Sequence, residues 1–164
     1  MSRTPLTGFD VEGPVQAEVF VLVERDGWPV LTGPCGADPW YIEVSAAEDP
    51  MDVVATTVRR TIGDPLVVHS TSWRRDRDAV VLSFVAVITS TQLGEMDWVP
   101  VSRTDLARGD AASAPTDIAA TQVIEHGLRH LAWLVNDDAV VAGRLPAPWH
   151  AMLATYVPEP FRHL

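Results

Sequence analysis

Two apolar, β-branched runs, VQAEVFVLV at 15–23 and AVVLSFVAVI at 79–88, limit what this chain can become. The first has the composition of a buried strand and the second has the length of one. Neither approaches the roughly 20 apolar residues that a bilayer-spanning helix needs, so no membrane segment is expected. Between them lies DPMDVVATTVRRTIGD at 49–64, which reads as a helix. Asp49 is a good N-cap, Pro50 sits at the first helical position, and Gly63 supplies the stop ahead of Pro65. Met51, Val54, Ala55, Val58 and Ile62 recur at helical spacing and form the inner face. Asp52, Thr56, Thr57, Arg59, Arg60 and Thr61 are left to point outward, a polar surface that the core does not require.

The other elements follow from turn chemistry. RDG at 25–27 makes a turn into a second strand, WPVLTG; GPCGADP is loop, and WYIEV at 40–44 is a short strand. LVVHSTSW at 66–73 and DAVVLSFVAVIT at 78–89, joined by the charged turn RRDRD, predict a hairpin. DWVPVS is a further strand leading to an Asp/Ala/Ser/Gly-rich loop at 105–115. A long helix is predicted from an N-cap at Thr116 to about Val135, with Ala120, Val123, Ile124, Gly127, Leu128, Leu131, Leu134 and Val135 on one broad apolar face. After NDDAVVAG, Pro148 can start a last helix through about Tyr156, ahead of PEPFRHL.

At 164 residues and 47% hydrophobic composition the chain suits one domain with a real core. Its formal charge is −10, and all 12 basic residues are arginines. A basic surface for nucleic acid is therefore not expected, and no nucleic-acid partner is assigned. The opening residues, MSRTPLTGFDVEG, carry no apolar signal core, and the lone Cys35 can make no internal disulfide; the expectation is a cytoplasmic protein. Six tryptophans, Trp28, Trp40, Trp73, Trp98, Trp133 and Trp149, point to core edges, a subunit interface or the wall of an apolar pocket.

Strand, turn, strand, loop, helix ending in glycine, hairpin, then WVPVS and a C-terminal helix: this order resembles the Nudix superfamily over residues 15–136. The local points of likeness are AEVFVLVERDGWPVLTG as the first hairpin, Trp40 before the helix, the helix ending at Gly63, and DWVPVSRTDL at 97–106. The resemblance implies the α/β class, a Nudix-like α/β/α sandwich with a mixed sheet. Residues 1–14 would be an N-terminal arm, and residues 137–164 a short C-terminal helical extension packed on the same domain. In that family, glutamates on the helix hold magnesium for attack on a diphosphate linkage, because a hard divalent cation needs oxygen ligands that helical spacing can gather on one face.

Here the motif is degenerate. With Gly63 aligned to its last glycine, the family's Arg-Glu pair falls on Thr56 and Thr57, and its Glu-Glu pair on Arg60 and Thr61; only Glu48 remains, and the glycine-rich turn after Trp40 is missing. The expectation is therefore no cofactor, and a non-catalytic protein that binds a small phosphorylated or carboxylated anion. Trp40, Glu48, Thr57, Arg60 and Thr61 are the candidate contacts, Arg60 replacing the metal with its planar donor fork. One alternative is a divergent pyrophosphohydrolase that holds Mg²⁺ with relocated acids such as Glu43, Glu48, Asp52 or Glu95. Another is an interaction protein that forms a homodimer through its tryptophans and C-terminal extension.

Three histidines complete the survey. His126 and His130, four apart in EHGLRH, have a spacing compatible with joint metal ligation, but they lie beside Trp133 at the edge of the apolar arc and read first as packing residues. Glu125 is placed to pair with Arg129. His69 has no acidic partner at recognisable spacing, so no Ser-His-Asp triad can be assembled around it.

Overall fold

The computed structural model describes residues 13–104 and 118–160. The expected Thr116 cap, the 105–115 loop, Phe161 and most of the N-terminal arm lie outside the described residues.

The sheet is built around β1 (Val15–Arg25), whose apolar run forms a buried strand as its composition requires. Asp26 and Gly27, with φ of 53° and 79°, supply the two left-handed residues of a tight hairpin turn into β2 (Trp28–Thr32). Residues 33–39 lead to β3 (Trp40–Val44), which returns to the first half of β1. One edge of β1 is thus shared between β3 at Val15–Val19 and β2 at Val21–Arg25. Its other edge pairs in parallel with β5 (Ala79–Val87), which forms an antiparallel hairpin with β4 (Val67–Asp76). A short strand, β6 (Trp98–Pro100), closes the far side, giving a mixed six-stranded sheet in the order β4-β5-β1-β2-β6, with β3 also on β1.

The first helix, α1 (Pro50–Thr61), starts as its sequence dictates: the Asp49 carboxylate accepts from the Met51 and Asp52 amides at 2.8 and 3.2 Å. At its end the Gly63 amide returns to the Val58 carbonyl, with φ of +121° at the glycine. Two short helices escape the sequence reading. One is α2 (Ser90–Leu93), held by a Thr89/Gln92 capping box; the other is α4 (Ala139–Arg144), capped by Asp138, in a stretch to which the sequence reading assigns no element. The long helix α3 (Ala120–Asp137), with its N-cap at Ala119, begins three residues later than an N-cap at Thr116 would place it, and α5 (Ala147–Leu153) is the last helix of the described residues.

Alternation along β1 feeds two cores. Ala17, Val19, Val21 and Val23 pack with Val54 and Val58 of α1, while Phe20 and Leu22 pack with Leu128 and Leu131 of α3 and with Trp149 and Leu153 of α5. Val54 and Val58 are fully buried, each burial worth about 1.5–3 kcal/mol. Gly127 lets α3 lie against the sheet: a Cβ there would meet Val85 Cγ1 at 2.9 Å. Among the described residues no helix is long and apolar enough to cross a membrane.

Candidate functional site: the α1 surface and two buried charge clusters

The outward face of α1 is where the sequence places a ligand. Thr57, Arg60 and Thr61 share that face by spacing. Thr57 spends its hydroxyl on the Val53 carbonyl at 2.7 Å, leaving Arg60 and Thr61 exposed in the last turn. Arg59 pairs with Asp64 at 2.7 Å. Arg60 has no hydrogen-bond or ion-pair partner among the described residues. Glu48 is turned to Ser45, accepting from its amide and hydroxyl at 3.3 and 2.7 Å. Trp40 is half-buried against the α1-side core.

These donors do not fit the family's magnesium. A cation and hydroxyls stand where carboxylates would be, the one retained carboxylate is engaged by Ser45, and among the described residues no group of three His, Cys, Asp or Glu is placed to hold a metal ion.

Two clusters of buried charge lie on the opposite face of the sheet. In the first, Glu18 of β1 is 2% exposed. Its carboxylate accepts from Arg74 at 2.6 and 2.9 Å, from the Ser83 hydroxyl at 3.0 Å and from the Tyr41 hydroxyl at 3.2 Å. The bonded carboxylate raises the Arg74 pKa, while burial and then the Glu18 charge raise that of Tyr41. A signal was present in the sequence, a single acid inside an apolar strand, but its partner lies 56 residues away on β4.

The second cluster joins α3 to the segments around it. Glu125 is fully buried and pairs with Arg129 at 3.1 Å and Arg103 at 3.2 Å; the Arg103 guanidinium also lies 3.9 Å from the centre of the Tyr156 ring. Glu159 binds the same helix through its backbone and its side chain. Its amide donates to the Arg129 carbonyl at 3.0 Å, its carbonyl accepts from His130 Nδ1 at 3.1 Å, and its carboxylate lies 3.6 Å from Arg129 and from His126 Nδ1. His126 and His130, placed by spacing at the arc edge, are instead 0% and 1% exposed. His126 Nε2 donates to the Thr71 carbonyl at 3.1 Å. His130 is stacked with both His69 and Trp133, with centroids 5.0 and 5.5 Å away. Burial first of all pushes the His130 pKa down to about 4, with the charges of His69 and His126 acting in the same direction and the bond to the Glu159 carbonyl opposing them.

No family model and no curated protein matches the chain. It is similar to a solved structure, Shewanella oneidensis NrtR complexed with a 27mer DNA, at 11% identity over 88% of this chain and 77% of that one, with a TM-score of 0.51. NrtR has the Nudix fold, and the likeness supports a Nudix-like fold here. It also corrects one expectation. Whole-chain charge argues against a nucleic-acid partner, yet a protein of similar fold has been solved on DNA, so that exclusion falls. The physical reason is that net charge sums over the whole surface, whereas a nucleic acid meets only the local distribution of charge.

Proposed function

We propose that this chain is a ligand-binding or accessory protein on a Nudix-like α/β/α sandwich spanning residues 15–136, with residues 137–164 as an extension of the same domain. In this reading it lacks Mg²⁺-dependent hydrolysis, and the polar face of α1 takes a small phosphorylated or carboxylated metabolite. The observation that carries the reading is Arg60: an exposed guanidinium stands where the family's metal-binding acid would be, beside the exposed Thr61 hydroxyl, while Arg59 is already neutralised by Asp64. Its fork matches a planar or tetrahedral anion. The C-terminal end of α1 carries negative partial charge and opposes an anion there, so Arg60 has to supply the attraction itself.

The test is a thermal-shift screen of phosphorylated and carboxylated metabolites in chelator. Hits that weaken in Arg60→Ala support the reading. Hits indifferent to Arg60, or dependent on Mg²⁺, overturn it. Metal-dependent release of phosphate or pyrophosphate that disappears when Glu43, Glu48, Asp52 or Glu95 is replaced would favour the relocated-metal hydrolase instead. A dimer by light scattering that needs the exposed Trp28 or Trp98 would favour the interaction protein.

The DNA in the NrtR complex favours a second reading, in which the partner is a nucleic acid. Fluorescence anisotropy with labelled duplex DNA tests it: saturable binding that weakens with salt, as counterion release demands, would support that reading.

A further inference from the structure

The contact between α3 and the outer strand β4 contains a pair of stacked histidines that the proposed ligand surface does not use. His69 of β4 and His130 of α3 lie with ring centroids 5.0 Å apart and planes 24° from parallel, and Trp133 also stacks on His130 at 5.5 Å. One turn earlier, His126 bonds the Thr71 carbonyl of the same strand and faces the Glu159 carboxylate. We propose that the His69–His130 stack is an acid-sensitive joint, closed while both rings are neutral and opened when they charge, and that its opening loosens β4 from α3 and releases the segment around Glu159.

The geometry gives each step a cause. Two imidazoliums stacked at this separation repel, and the His130 ring, 1% exposed, cannot be hydrated without leaving the contact. His130 Nδ1 is also the donor to the Glu159 carbonyl, so a ring that swings out to water takes away one of the bonds that hold residue 159 to α3.

The charged groups around the pair do not reverse this. Asp138 favours charge on His69, but burial outweighs it and lowers the pKa; the Glu159 carbonyl favours charge on His130 but ranks below burial there, and His126 adds to the repulsion. Arg129, the neighbour of His130 in sequence on α3, is held by Glu125 and Glu159. The sign follows. With its folded pKa below its ordinary 6.5, His130 binds fewer protons in the folded chain, so the joint is intact above that value and is lost as pH falls toward about 4.

Hydrogen exchange by mass spectrometry on the full chain between pH 7 and 4, corrected for the intrinsic pH dependence of exchange, tests the joint. Peptides from the first half of β4 and from residues 157–160 are expected to lose protection while β1 and β5 keep theirs. His69→Phe, which keeps a ring in the stack but cannot charge, should move that transition down by roughly 1 pH unit, the scale at which paired sites titrate together. Should His69→Phe fold poorly, His69→Leu serves, and an NMR titration of His130 should show its pKa rising from about 4 in either variant. Loss of protection in β4 and the tail only together with β1 and β5, or a transition and a His130 titration unmoved by both substitutions, would overturn the proposal.

Discussion

Arg74 of β4 grips Glu18 of β1 with both terminal nitrogens, at 2.6 and 2.9 Å, across β5, the strand that pairs with β1 on one side and β4 on the other. A buried ion pair of this kind contributes little net stability against an apolar pair of equal volume, but removing one member strands the other. Glu18→Leu is expected to destabilise the protein by about 3 kcal/mol, since Arg74 is only 16% exposed and loses its main counter-charge. The double variant Glu18→Leu/Arg74→Met should recover most of that loss. Urea denaturation of the four proteins of the cycle measures it, and a purely additive cycle would contradict the account.

For the α1 surface, Arg60→Ala is expected to weaken binding of the identified anion by about 1.5–3 kcal/mol, the usual worth of a charged hydrogen bond. Arg60→Lys should restore part of it, because an ammonium keeps the charge without the fork. Isothermal titration in chelator compares the three proteins; full recovery by lysine would mean that charge alone matters.

Two glycines in helices should respond in opposite ways. Gly127→Ala places a methyl 2.9 Å from Val85 Cγ1, and the β-branched valine has little rotamer freedom with which to yield. The overpacking cost of about 1–3 kcal/mol exceeds the roughly 1 kcal/mol of helix propensity gained, so the variant should melt lower. Gly143→Ala in α4 meets nothing within 4 Å and should be neutral or stabilising by about 0.5 kcal/mol. Paired thermal melts decide both.

Trp133→Ala removes one side of the ring stack. The side chain is half-buried, so a loss of about 2 kcal/mol is expected, below the range for a fully buried tryptophan. The exposed face of His130 should then hydrate, and its pKa should climb from about 4 toward the ordinary value, because burial is the largest cause of its depression. An NMR titration of the histidine Cε1 protons reads this directly; a pKa that stays near 4 would mean that Trp133 contributes packing without desolvation.

The strands were legible because their signals are local: an apolar run, a turn with glycine or charge, another run. The Asp49–Pro50 start and Gly63 stop of α1 were legible for the same reason. α4 was not, because DDAVVAG combines β-branched residues with a glycine and only the Asp138 cap argues for a helix. On the candidate surface, spacing places Thr57, Arg60 and Thr61 on one face, but it does not tell that Thr57 bonds its own helix or that Arg59 reaches Asp64. Glu125 was legible with Arg129, four residues on, and illegible with Arg103. The charge clusters as wholes are tertiary, and Glu159 shows this most clearly: a surface-looking acid in a proline-flanked tail becomes the residue that ties the tail to α3.

The shared edge of β1 has a consequence for the order of folding. Its pairing with β2 closes a two-residue turn and can form within microseconds, as hairpins do. Its parallel ladder with β5 joins residues as far apart as Glu18 and Ser83, 65 positions along the chain, and has to wait until α1 and β4 have been gathered in between. Until then the central strand of the sheet presents an uncovered apolar edge. A nascent chain released before residue 87 would carry that edge into solution, and it is there, rather than in the finished fold, that a chaperone would find its substrate.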